Sequence, residues 1–174
     1  MKKYKILLVD DDITLVQGTS LYLEQKGYHV FTAGNGKAAI DLLQISSFDL
    51  VLTDLVMPGI DGFQVLKKAK TLQPEIMVIV MTGFGDVKFA IDCLRLGADD
   101  YMLKPCEPEE MVFRIKNCLE KLEGKKQLKN AENALRDSEK LYRSLIETTG
   151  TGYVIIDESG KIKDANKESL RLIG

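Results

Sequence analysis

Five short apolar runs alternate with helical patterns through the first two thirds of this chain. Between the runs, apolar residues recur at the three- and four-residue spacing of one buried helix face. This alternation favours a parallel sheet covered by helices on both faces, because each crossover between neighbouring parallel strands needs a helix. We therefore predict an α/β fold, a (βα)5 doubly wound parallel five-stranded sheet. The predicted strands are Lys5–Val9, Tyr28–Ala33, Leu50–Leu52, Ile76–Met81 and Tyr101–Leu103.

The central strand ends in an acidic residue. Leu50–Leu52 has no polar position, as expected of a strand that is covered on both faces. Asp54 follows it, and Met57-Pro58-Gly59 then forces a turn. The sequence therefore predicts a carboxylate at the C-terminal edge of a parallel sheet, where open α/β folds build their sites.

Three other predicted strands also end in reactive side chains. Asp10 and Asp11 follow the first strand, Thr82 the fourth and Lys104 the fifth. Right-handed crossovers place all these strand ends along one edge, so we expect the side chains to meet. Carboxylates without His or Cys suit Mg²⁺, while an ammonium and a hydroxyl suit phosphate. Together they indicate phosphoryl transfer, in which Asp54 can be the nucleophile that forms an aspartyl phosphate.

Composition excludes several other classes of protein. The chain has 24 basic and 26 acidic residues and a net charge of −2. This balance predicts no polycationic surface, and therefore does not indicate a nucleic acid as partner. No apolar run approaches the ~20 residues that span a bilayer, and the N-terminus does not resemble a signal peptide. Cys93, Cys106 and Cys118 form no CxxC pair, which predicts a cytoplasmic protein without a zinc site.

Residues 1 to about 120 resemble the receiver domain of two-component response regulators. Four motifs in the expected order carry this resemblance: Ile6–Asp11, Leu52–Gly62, Val80–Gly83 and Gly97–Pro105. The resemblance implies the flavodoxin-like strand order 2-1-3-4-5, with a C-terminal helical extension. It also implies a cognate histidine kinase or phosphotransfer protein as partner.

The resemblance assigns a role to each acid at the sheet edge. Asp54 would accept a phosphoryl group from a phosphohistidine. Asp11 and Asp54 would bind Mg²⁺ directly, Asp10 would act through a water molecule, and the Val56 carbonyl would complete the protein ligands. Two-component phosphorelay signalling is the implied function. A degenerate receiver that serves as a docking or dimerisation module in a larger sensor histidine kinase is the alternative.

The remaining strand-end residues would serve the phosphate and a conformational switch. Lys104 would hold the phosphate, and its peptide bond to Pro105 is expected to be cis, as only X-Pro bonds readily are. Thr82 and Tyr101 would form the switch that alters the face made by the fourth helix, fifth strand and fifth helix.

The resemblance also implies that two apolar side chains flank the path of the water that hydrolyses the aspartyl phosphate. These are Val56 and Phe84, and we expect them to exclude water and prolong the phosphorylated state. Phosphate loss no slower than in a Val56→Asn, Phe84→Glu double variant would contradict this expectation.

Two other functions fit less well. Aspartate-nucleophile phosphohydrolases need a second acid two residues after the nucleophile, and Val56 stands there. We therefore expect no stand-alone enzyme beyond self-phosphorylation and autodephosphorylation. A DNA-binding regulator would need a basic helix-turn-helix after the receiver, and the mixed acidic and basic linker shows none.

The chain divides into three predicted parts: residues 1–122 as the receiver, 123–147 as a helical linker and 148–174 as the truncated start of a PAS sensor domain. The last part resembles PAS domains through Leu141–Glu147 and through a hairpin pattern at Tyr153–Ile162. The linker is either a solvated helix, which Gly124 could interrupt, or a dimeric coiled coil over 125–146. Its heptad positions are Leu128, Leu135 and Tyr142 at a, and Ala131, Ser138 and Leu145 at d.

This arrangement predicts the N-terminal piece of a sensor or hybrid histidine kinase, or of a related signalling protein. Local signals assign three further residues. Asp12 and Asp61 are predicted to cap the helices that follow them. His29, the only histidine, lies in a predicted strand and is interpreted as structural.

Overall fold

The computed structural model describes residues 3–83, 87–148, 152–166, 168–169 and 171. The chain divides into two compact units, Met1–Gly124 and Lys125–Gly174. The strands are β1 Lys5–Val9, β2 His29–Ala33, β3 Leu50–Asp54, β4 Met77–Thr82, β5 Asp100–Leu103, β6 Val154–Ile156 and β7 Ile162–Ala165. The helices are α1 Ile13–Gln25, α2 Gly36–Ile45, α3 Gly62–Leu72, α4 Val87–Arg95 and α5 Pro108–Thr148.

The first unit contains one five-stranded sheet in the order β2-β1-β3-β4-β5. All four neighbouring pairs are parallel, and Asp54 lies opposite Met81 at the end of the β3–β4 ladder. The predicted fold class and strand order are therefore confirmed. The order reverses between β1 and β3, which makes their C-terminal ends the crevice in which such folds bind ligands.

The core consists of two layers that the sheet separates. In β1, Leu7 and Val9 face the layer that α2 and α3 cover, whereas Ile6 and Leu8 face the layer that α1 and α5 cover. All four side chains are fully buried. Because both faces of the sheet are covered, the inner strands β1, β3 and β4 read as nearly continuous apolar runs, and their polar residues lie at or next to the strand ends.

Helix α5 extends over 41 residues and runs through Gly124 without a break. A glycine inside a helix costs only about 1 kcal/mol relative to alanine. The burial of Leu119 and Leu122 just before it offsets that cost. The expected interruption at Gly124 therefore does not occur. Within the described part of the chain, no helix combines the length and the apolar character needed to cross a bilayer.

The second unit contains a small antiparallel hairpin, β6–β7, as the sequence predicted. Asp157 begins its turn, and its Oδ1 accepts hydrogen bonds from the Ser159 and Lys161 amides at 2.8 and 3.0 Å. After β7, Asn166 Oδ1 accepts hydrogen bonds from the Tyr153 and Ser169 amides at 3.0 and 3.1 Å. These local bonds fix the turn and both ends of the hairpin.

Candidate functional site

Asp54 is the last residue of β3 and is almost completely buried. The Leu55 amide donates to the Met81 carbonyl at 2.8 Å, so the β3–β4 ladder continues one step past Asp54. The Thr53 hydroxyl donates to the Asp54 carbonyl at 3.0 Å. The β3–β4 ladder and the Thr53 hydroxyl therefore hold the backbone of Asp54, whose carboxylate lies at the sheet edge.

Asp10 and Asp11 follow β1, directly beside Asp54 in the sheet order. Asp10 is only 1% exposed, and its Oδ1 accepts the Asp12 amide at 3.0 Å. Asp12 caps α1 by accepting the Thr14 and Leu15 amides, which confirms its predicted role. Asp11 is exposed. The turn from β1 into α1 thus places one buried and one accessible carboxylate beside the central strand.

Lys104 connects two of the three carboxylates. Its Nζ lies 2.6 Å from Asp10 Oδ2 and 2.9 Å from Asp54 Oδ1. Its backbone amide donates to the Thr82 carbonyl at 2.8 Å, which continues the β4–β5 ladder beyond β5. The Lys104–Pro105 bond is cis, as expected. The ammonium group thereby lies inside the acidic crevice.

Burial and charge act against each other in this cluster. Burial raises the pKa of Asp54 above its ordinary value, and the charge of Asp10 raises it further, although Lys104 partly opposes both. Burial also lowers the pKa of Lys104, but the hydrogen bonds and charges of Asp10 and Asp54 outweigh burial and raise it. Three carboxylates and one ammonium leave two negative charges uncompensated. The crevice therefore favours a further cation.

The arrangement of the acids fits a divalent metal ion. One oxygen each from Asp10, Asp11 and Asp54 can be chosen so that all three atoms lie within 4.8 Å of one another. An all-oxygen set without His or Cys suits Mg²⁺, which needs few carboxylates because it keeps several waters. Because Asp11 is exposed, its carboxylate is open to solvent.

The predicted switch residues lie on β4, which is next to β3, and on β5, which is next to β4. Thr82 ends β4 and is buried, whereas Tyr101 is half-buried in β5 and lies opposite Val80. Val56, two residues after Asp54, is 57% exposed, and Phe84 lies outside the described residues. The structure thus brings Asp10, Asp11, Asp54 and Lys104 together, and the roles of Thr82, Tyr101 and the Val56 carbonyl stay predictions.

Sequence reasoning assigned no role to Gly62, although it lies in one of the motifs. A Cβ on Gly62 would meet the Asp54 carbonyl oxygen and lie 2.8 Å from Leu55 Cα. The Gly62 amide also donates to the Leu55 carbonyl at 2.9 Å. Asp61 is the N-cap of α3 and forms a capping box with Gln64, so the predicted cap is confirmed. A glycine directly after a helix cap was the one sequence signal for this contact.

The comparisons with known proteins agree with this geometry. The family model for the response regulator receiver domain matches residues 6–116. The probable transcriptional regulator ycf27 of Cyanophora paradoxa is 33% identical over 174 residues, which cover 100% of this chain and 67% of that protein. Response regulator SaeR of Staphylococcus aureus (strain USA300) is 38% identical over 117 residues, which cover 67% of this chain and 51% of that protein.

Solved structures show the same fold. A response regulator receiver domain protein (CheY-like) from Methanospirillum hungatei JF-1 superposes with a TM-score of 0.69 at 31% identity. The match covers 71% of this chain and 99% of that one. The chain spans between about half and two thirds of the length of the curated relatives described above.

Proposed function

Because the chain belongs to the response regulator receiver family, we propose that Asp54 accepts a phosphoryl group from the phosphohistidine of a cognate histidine kinase or phosphotransfer protein. A P–O bond forms at the Asp54 carboxylate as the P–N bond of the donor breaks. The observation that carries this proposal is the buried Asp54 carboxylate, 2.9 Å from Lys104 Nζ and clustered with Asp10 and Asp11. Such a site works by positioning and by neutralising charge.

Each neighbouring group has a place in this step. Asp11, Asp54 and the Val56 carbonyl would hold Mg²⁺ directly, and Asp10 would hold it through a water molecule. The bound ion would neutralise charge on the phosphoryl oxygens. Lys104 would exchange its carboxylate contacts for the phosphate.

The switch uses two residues beyond the crevice. We propose that the Thr82 hydroxyl then moves to the phosphate and the Tyr101 ring moves with it, which alters the α4-β5-α5 face. This surface would carry the signal because β5 joins the site to both helices.

Incubation with Mg²⁺ and an acyl phosphate is expected to add one phosphoryl group to most of the wild-type protein. Asp54→Asn is expected to abolish this gain, measured by intact mass. Asp12→Asn is the matched control, since it makes the same chemical change two residues from Asp10 and asparagine also caps helices well. Phosphorylation that survives Asp54→Asn, or that does not need Mg²⁺, would contradict the assignment.

The second unit follows the receiver in the chain. We propose that residues 1–122 are the receiver, 123–147 a helical linker and 148–174 the start of a PAS domain, as in the N-terminal part of a sensor histidine kinase. The hairpin β6–β7 and the tight Asp157 turn support this proposal. The relatives that are named as transcriptional regulators favour a second candidate, a DNA-binding output.

The linker helix exposes an apolar stripe. Leu128, Leu135 and Tyr142 are each more than three-fifths exposed, and Leu145 is about half exposed. Apolar side chains at heptad spacing are costly to leave in water, and they match the a and d positions of a two-stranded coiled coil. We propose that this stripe pairs with a second copy of the chain.

Leu135→Glu is expected to weaken self-association at least about tenfold, because it buries a charge at the centre of the seam. Asn133→Glu, on the same helix but off the stripe, is the control and should leave self-association unchanged. Sedimentation velocity over a range of concentrations measures both. A wild type that stays monomeric would reject the dimer, and cosedimentation with a labelled DNA duplex would favour the DNA-binding output.

A further inference from the structure

The sequence of the segment Gly34-Asn35-Gly36 is typical of a turn. In the structure, this segment also makes a close contact with Ile60. Asn35 caps α2 by accepting the Ala38 amide at 2.8 Å, and Gly36 is the first helical residue. Gly36 is buried against Ile60. A Cβ on Gly36 would meet the Ile60 carbonyl oxygen and lie 2.6 Å from Ile60 Cγ2 and 2.8 Å from Ile60 Cβ.

Ile60 belongs to the loop that follows Asp54, which we define as residues 55–61. This loop closes on itself, because the Gly62 amide donates to the Leu55 carbonyl at 2.9 Å. Within the loop, the side chains of Leu55 and Met57 are buried, whereas that of Val56 is 57% exposed. The 55–61 loop therefore contacts the end of β3 on one side and the first residue of α2 on the other.

We propose that the contact between Gly36 and Ile60 sets the position of the 55–61 loop for cation binding, which makes Gly36 a positioning residue. The inference rests on the proposed function, in which the Val56 carbonyl is one ligand of Mg²⁺. A side chain at Gly36 would have to displace the Ile60 backbone, because the overlap involves a carbonyl oxygen. Mg²⁺ demands near-ideal octahedral geometry, so even a small movement of one ligand weakens its binding.

Helix propensity alone predicts that Gly36→Ala is favourable, whereas the contact with Ile60 predicts that it is harmful. This difference makes the contact testable. The φ angle at Gly36 is not positive, so alanine fits its backbone conformation. In an open helix position, alanine is more favourable than glycine by about 1 kcal/mol. A loss of Mg²⁺ affinity in Gly36→Ala would therefore come from the contact with Ile60 and not from the helix.

Gly34→Ala is the matched control. It lies two residues away on the same connection, its φ is not positive, and a Cβ there would meet nothing within 4 Å. We expect Gly36→Ala to lower the Mg²⁺ affinity of the full chain by about tenfold or more, the usual size of effects on residues that support metal ligands. Gly34→Ala should leave the affinity within about twofold of wild type.

Isothermal titration with Mg²⁺ alone measures these affinities, and circular dichroism confirms that each variant is folded. Ile60→Ala is a second variant for the case in which Gly36→Ala does not fold. It removes packing from the other side of the contact and should also weaken Mg²⁺ binding. Wild-type affinity in Gly36→Ala, or in Ile60→Ala where that variant is used, would overturn the inference. A wild type that binds no Mg²⁺ would overturn the proposed function itself.

Discussion

Lys104→Met is expected to destabilise the Mg²⁺-free protein by about 3–5 kcal/mol, because it removes an ammonium that pairs with two buried carboxylates. Asp10 is 1% exposed and lies 2.6 Å from Lys104 Nζ. Methionine retains the length of the lysine stem, so packing changes little and the loss comes mainly from charge. Urea unfolding at neutral pH measures the free energy of unfolding.

Mg²⁺ is expected to restore part of this stability, because the ion supplies positive charge at the same carboxylates. At ten times its dissociation constant, a ligand that binds only the folded state adds about 1.4 kcal/mol. The Lys104→Met variant should gain more than wild type, since its carboxylates no longer share an ammonium. Phosphoryl acceptance should nevertheless stay impaired, because methionine offers the phosphate no positive charge.

Lys70→Met provides a control of similar geometry. Lys70 Nζ lies 2.6 Å from Asp99 Oδ2, and its side chain is 23% exposed, the same fraction as that of Lys104. This variant should also lose stability, but Mg²⁺ should not restore it beyond the gain seen in wild type. Equal responses of the two variants to Mg²⁺ would show that the ion does not act at the Asp10–Asp54 cluster.

Gly62→Ala is expected to destabilise the protein by about 3 kcal/mol, the upper part of the usual range for overpacking. The added Cβ would meet the Asp54 carbonyl oxygen and Leu55 Cα, and both of these are backbone atoms. Relief of this overlap must separate the start of α3 from the end of β3. We therefore expect Mg²⁺ affinity to fall together with stability.

Gly18→Ala in α1 is the control for this substitution. A Cβ at Gly18 would meet nothing within 4 Å, so the change should stabilise the protein by about 0.5–1 kcal/mol through helix propensity alone. Thermal and urea unfolding measure both variants. A Gly62→Ala variant as stable as wild type would show that the backbone around Asp54 can shift at little cost.

The sequence by itself predicts those structural features whose signals lie within a few residues of one another. Apolar runs and helical periods determine the five strands and helices, and the rule for crossovers then places Asp10, Asp54 and Lys104 at one edge. The caps at Asp12 and Asp61 were predictable for the same reason, since their hydrogen bonds reach only two or three residues along the chain.

Only the tertiary structure decided which groups approach closely across the chain. Gly36 meets Ile60 and Gly62 meets the backbone of Asp54, and no periodic pattern records such contacts between backbone segments. Likewise, the pairing of one ammonium with both Asp10 and Asp54 depends on distances across three strands. Sequence patterns indicate on which face of its strand or helix a side chain lies. A contact between distant segments exists only after the sheet and helices have packed.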